Sequence, residues 1–101
     1  GRGDEGRGNF AAIARVINRM PPPERPFATA MTEYYKGRCS EGDFDRAEAT
    51  MDRVRTGAAA IREYEAFLEL AGNVSPSSAE LQAAVDDATQ RIAAVRDRIR
   101  G

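Results

Sequence analysis

Glu41, Asp43 and Asp45 set three carboxylates within five positions, Glu63, Glu65 and Glu69 supply three more, and Arg91, Arg96, Arg98 and Arg100 crowd four guanidiniums into the last eleven residues. Each set has a chemistry of its own. Clustered acids can hold Ca²⁺, paired acids can exchange protons with a substrate, and a strip of arginines can grip phosphates. The spacing argues against the first two. The twelve-residue EF-hand pattern is missing around Glu41, and acids at a helix start are what the helix dipole favours. Glu63 and Glu65 project from different helix faces, while Glu65 and Glu69 share one that reads as solvated.

The chain contains no histidine and one cysteine, Cys39. That removes Ser-His-Asp and Cys-His machinery and His-based proton transfer, and it leaves zinc short of ligands. An internal disulfide is impossible, so a reducing, cytoplasmic compartment is the default. The expectation is a chain that is not an enzyme, with no catalytic residue, no metal, no cofactor and no small-molecule substrate.

The arginine strip needs more care. A helical dimer presenting Arg91, Arg96, Arg98 and Arg100 would offer a doubled phosphate-contacting surface to double-stranded RNA or DNA. Against this, cations at a helix C-terminus complement its dipole, and Glu80, Asp86 and Asp87 balance them at the other end. The net charge is −1, and no aromatic residues are interleaved to stack on bases. Fourteen arginines stand against a single Lys36, a bias that a GC-rich genome produces without any binding role. Nucleic-acid binding is therefore the alternative reading.

The elements that position these residues are helices. From Leu81, apolar side chains recur at Val85, Ala88, Ile92, Val95 and Ile99, spaced four, three, four, three and four apart. That is one narrow stripe of an α-helix, and it must lie against another helix. Gly1–Gly8 carries no apolar residue and reads as a flexible Gly/Arg-rich arm. Asn9 suits the N-cap of a first helix over 9–20, ended by Pro21-Pro22-Pro23. A second helix over 26–38 starts at Pro26. Ser40 to Asp43 has the spacing of a capping box, which predicts a third helix over 43–71. Gly72 ends that helix, and Ser75-Pro76 begins a fourth over 76–100.

Two long helices joined by about four residues turn back on each other. The charges favour one register: Glu48 beside Arg100, Asp52 beside Arg96 and Arg62 beside Asp86. The same register brings Leu68 to Leu81 and Val54 to Val95. The expected seam therefore comprises Met51, Val54, Ile61 and Leu68 with Leu81, Val85, Ala88, Ile92, Val95 and Ile99. Gly57, mid-helix beside Ala58, Ala59 and Ala60, suggests a close helix approach.

Tyr34-Tyr35-Lys36, followed by Gly42-Asp43-Phe44-Asp45-Arg46-Ala47, resembles the inter-helix turn of a tetratricopeptide repeat, though no second repeat follows at the period of 34. The resemblance covers about a third of the chain and implies that the second and third helices also pair antiparallel.

The sequence thus describes an all-α fold: a small helical bundle of about four helices, dominated by a long, coiled-coil-like antiparallel hairpin. The whole of 9–101 forms one domain. No stretch is long and apolar enough for a membrane span, so no membrane partner is expected. The leading functional expectation is a non-catalytic protein–protein interaction or oligomerisation module, a piece of a larger protein. Its partner is another protein or a second copy of itself, with a homodimer on whatever apolar surface remains. The candidate surface is what the hairpin does not consume of Phe10, Ile13, Ile17, Phe27, Met31, Tyr34 and Tyr35.

Overall fold

The computed structural model describes residues 2–100, and side chains from residue 9 onward. Four α-helices and one short 3-10 turn make up the described chain: α1 (Arg2–Arg19), the turn Pro22–Glu24, α2 (Arg25–Arg46), α3 (Thr50–Ala71) and α4 (Ala79–Arg100). Among the described residues there is no strand, and the fold is all-α. The helix α1 is drawn from Arg2, so the backbone of the segment read as an arm continues it. The side chains of that arm lie outside the described residues.

The proline elbow forms where the sequence placed it. Pro21 is extended and the 3-10 turn follows at once. Arg25 fixes the angle by reaching back across the elbow. Its Nε donates to the Met20 carbonyl at 2.9 Å and its Nη2 to the Asn18 carbonyl at 3.2 Å, capping the end of α1.

The second helix departs from expectation. No break occurs at residues 39–42: α2 runs unbroken from Arg25 to Arg46, and the segment resembling a tetratricopeptide turn is helix. Tertiary contacts outweigh the local capping signal. Ser40 is buried and donates its hydroxyl to Glu63 of α3, while Asp43 pairs with Arg46 at 2.8 Å. Gly37 sits beneath the Tyr64 ring. A β-carbon there would lie 2.6 Å from Tyr64 Cδ1, so only glycine lets the two helices come this close. The real turn is Ala47-Glu48-Ala49, where Ala47 and Ala49 are extended, and Arg53 closes it by donating to the Phe44 and Ala47 carbonyls, both at 3.4 Å.

The helix α3 lies between two neighbours. Pairs such as Tyr34 with Phe67 and Ser40 with Glu63 run in opposite senses along the chain, so α2 and α3 are antiparallel. Theirs is the more extensive pairing, ahead of the α3–α4 hairpin. Antiparallel pairing of α2 and α3 is what the resemblance implied, reached here through a different turn. Contacts of Tyr34 with Asp87, Glu41 with Arg91 and Asp45 with Arg98 advance together, so α2 and α4 run parallel. The core contains Tyr34, Tyr64, Phe67, Leu81, Ala88 and Ile92, with Phe44 and Val95 also buried. Full burial of an aromatic or leucine side chain stabilises by about 1.5–3 kcal/mol.

The hairpin exists in a different register. Ile99 lies against Gly57, where the sequence register put it against residue 49, a slide of eight residues or about two turns. The expected charge pairs are not made: Asp52 bonds Arg55 at 3.4 Å and Arg96 bonds Glu65 at 3.2 Å. The connection causes part of this. It spans Gly72–Ser78, and Ser78 is the N-cap, its Oγ accepting from the Leu81 N–H at 3.1 Å. The expected Ser75-Pro76 start lies outside the helix. Because α4 ends opposite Gly57, the first turns of α3 project past it. Met51 and Val54, expected in the seam, are accordingly 81% and 47% exposed.

The two helical glycines of α2 separate packing from propensity. Gly37→Ala is expected to cost about 1–3 kcal/mol by forcing a methyl into the Tyr64 ring, despite alanine's ~1 kcal/mol helix advantage. Gly42→Ala, whose methyl would meet only the Arg46 guanidinium at 3.4 Å, is expected to stabilise by up to about 1 kcal/mol. Urea denaturation of both variants reads the contrast; shifts of the same sign would mean that Tyr64 does not hold α2.

Candidate functional site

Part-buried charged residues and two buried tyrosines converge on one cluster where α2, α3 and α4 meet. Arg91 of α4 is at its centre. Its Nε donates to Asp87 Oδ2 at 2.6 Å, and its Nη1 donates to Glu41 Oε2 at 3.1 Å. Glu41 also accepts from the Tyr64 hydroxyl at 2.7 Å. Asp87 accepts from the Tyr34 hydroxyl, and Arg38 donates to Tyr34 at 3.3 Å. The Tyr34 ring lies tilted against Tyr64 and Phe67, its centroid 6.0 Å and 5.3 Å from theirs. Every helix of the three-helix core contributes at least one member.

The electrostatics follow from this closure. Burial opposes the charge on Asp87, but hydrogen bonds from Tyr34 and Arg91 and the Arg91 charge outweigh it and hold the carboxyl below its usual range. Burial likewise opposes the Arg91 charge, and the bonds to Asp87 and Glu41 more than reverse the effect. Desolvation, then hydrogen bonding to Glu41, pushes the Tyr64 phenol well up; desolvation and Asp87 do the same for Tyr34. Both phenols stay protonated and act as donors. No buried side-chain polar atom among the described residues lacks a partner. The cluster is a latch whose acids and bases satisfy one another.

The acidic sets proposed from sequence are dispersed. Glu41 turns inward to Arg91, Asp43 pairs with Arg46, and Asp45 pairs with Arg98 at 2.6 Å. Glu63 takes Ser40, and Glu65 takes Arg96. Among the described residues no group of His, Cys, Asp or Glu is placed to hold a metal ion. The arginine strip is similarly engaged: Arg91, Arg96 and Arg98 each meet a carboxylate, while Arg100 is exposed. Arg98 also lies over the buried Phe44 ring at 4.5 Å, as does Arg53 at the same distance.

The seam residues divide. Leu81, Ala88, Ile92 and Val95 are buried; Val85, Ile99, Ile61 and Leu68 are half-buried; Met51 and Val54 stand in water. Ala84, absent from the expected stripe, is buried with them. The expected partner surface divides as well. Ile17, Met31 and Tyr34 are buried by the fold, which removes them from it, and Phe10 and Phe27 are half-buried. Ile13 and Tyr35 remain 40% and 50% exposed, and Val16, on the apolar face of the first helix but outside the expected partner surface, is 56% exposed. A shallow groove of about 220 Å³ runs between α1 and α2, lined by Phe10, Ile17, Thr29, Thr32 and Lys36 among others.

No helix of the described chain is long and apolar enough to cross a membrane. No protein-family model matches the chain, and no curated protein or solved structure matches it either.

The latch and the surface pairs make separable contributions. Arg91→Ala leaves two carboxylates without their cation and is expected to cost about 1–3 kcal/mol. Arg96→Ala breaks one exposed pair and is expected to cost under about 1 kcal/mol; chemical denaturation distinguishes them. Acid tests the latch directly. Since the folded state holds Asp87 below its unfolded value, the stability it contributes is present above about pH 4 and is lost as pH falls through its folded pKa. Asp87→Asn is expected to flatten the fall in stability below pH 4; an unchanged slope would assign the acid sensitivity elsewhere.

Proposed function

We propose that this chain is a non-catalytic protein-interaction module. The observation that carries this reading is the exposure of large apolar side chains at two places outside the core. Ile13 and Val16 stand out from α1, and Met51 and Val54 stand out from the overhanging start of α3. Single exposed apolar residues are ordinary on a protein surface. Here they come in pairs three residues apart, the spacing of one helix face; the Met51–Val54 pair leads into the buried stripe of α3, and the Ile13–Val16 pair lies beside the buried Ile17. The polar interior favours the same conclusion. Its carboxylates, guanidiniums and phenols are bonded to one another, and a self-satisfied cluster builds rigidity instead of a reacting site. The carboxylate partners of Arg91, Arg96 and Arg98 leave the phosphate-binding alternative with little charge to spend.

Light scattering over a wide concentration range reads self-association. A photo-crosslinking residue at Val16 or Met51, introduced in cells, reads contact with another protein, with the exposed Gln90 as the control position. Association or cross-linking concentrated at Val16 or Met51 is the expected result. A monomer giving no more product there than at Gln90 would overturn the reading. So would salt-sensitive binding of duplex RNA that is lost on changing Arg91, Arg96 and Arg98 to Ala.

A further inference from the structure

The helix α1 is short of cover on both of its sides. Toward the bundle, a groove stays open between Phe10, Ala14, Ile17 and Asn18 of α1 and Thr29, Thr32, Glu33 and Lys36 of α2. Among its described side chains only Ile17 is buried. Among the described residues it packs, of the other helices, on α2 alone. A helix of this length draws most of its stability from burying an apolar face, and α1 leaves Ile13 and Val16 in water.

The charges of its C-terminal half, from residue 9 on, are equally one-sided. Between residues 9 and 32 there is one acid, Glu24, against Arg15, Arg19 and Arg25. Arg25 is committed to the α1 carbonyls at the elbow. Arg15 and Arg19 are exposed, make no ion pair among the described residues, and lie one turn apart beside Val16. Like charges at that spacing destabilise a helix. One object supplies both deficits: a second helix with an apolar stripe for Ile13 and Val16 and carboxylates beside it for Arg15 and Arg19.

We propose that the outer edge of α1 docks an acidic amphipathic helix of a partner protein. This rests on the interaction reading above and goes beyond it in naming the partner's form and charge. Helix-on-helix docking uses anchors three or four residues apart, which Ile13 and Val16 provide, and the paired arginines select the sign of the flanking charge. The Met51–Val54 pair carries no such selection, because Asp52 and Arg55 beside it neutralise each other.

Two synthetic helical peptides test the proposal, sharing one Leu/Ile stripe and flanked by Glu in one and by Lys in the other. Each is titrated into the full chain by fluorescence anisotropy. The Glu-flanked peptide is expected to bind, more weakly as salt is raised. Val16→Asp is expected to weaken it about tenfold or more with circular dichroism and melting unchanged, since Val16 is exposed. The double variant R15E/R19E is expected to exchange the preference for the Lys-flanked peptide. Equal binding of both peptides, or binding of neither, overturns the proposal. Self-association that Val16→Asp removes, without peptide binding, sinks the acidic-helix partner and keeps the interaction reading. Absence of self-association, of cross-linking and of peptide binding sinks both.

Discussion

The close approach of α2 and α3 at Gly37 and Tyr64 governs the rest of the molecule. A tyrosine ring occupies the space in which any other residue at 37 would place its side chain. With the ring seated there, its hydroxyl reaches Glu41 one turn further along α2, and Glu41 in turn meets Arg91 of α4. Three consequences follow in order. The second helix must remain helical through Glu41, the turn must wait until residues 47–49, and α4 must slide until Arg91, already paired with Asp87 on its own helix, meets Glu41. Packing fixes the phenol, the phenol fixes the carboxylate, and the carboxylate fixes the register of the last helix.

That chain of dependence also divides interior from surface. Polar groups inside are bonded to one another, and no buried side-chain polar atom among the described residues lacks a partner. What remains unspent lies outside. The slide of α4 uncovers the start of α3, and the elbow holds α1 against only one neighbour. Both uncovered places result from how the core is satisfied, and the functional proposal depends on them. In a molecule measuring 43 × 26 × 16 Å, the shortest dimension admits little more than a single layer of core between two wet faces.

Much of this was legible in the residues. The heptad-like stripe of α4 marked Leu81, Ala88, Ile92 and Val95, all buried, though Val85 and Ile99 are half-buried and the buried Ala84 was not in it. Proline marked the elbow, and Pro26 the start of α2. What misled was short-range signal competing with distant contact. Ser40 to Asp43 has the chemistry of a helix start, and two glycines in six residues suggest a break. Neither could reveal that Gly37 serves a ring twenty-seven positions away. The charge register failed for a related reason. With charges spaced this densely, several alignments produce opposite-sign pairs of little energy, and the part-buried bond from Arg91 to Glu41 decides among them. Glu41 was invisible as a latch residue so long as it was placed in a loop. Asp87 and Arg91, one turn apart on α4, were the half of the latch that spacing alone displays.

The two arginines over Phe44 bear on why this chain is built with one ammonium side chain and fourteen guanidinium ones. Arg53 and Arg98 place delocalised cations over the same ring, Arg25 spans two carbonyls at the end of the preceding helix, and Arg91 divides its nitrogens between two acids. Each task needs a planar head with several donors in fixed directions. A lysine would deliver the same charge and none of the shape, so at these four positions the bias in composition is an architectural requirement.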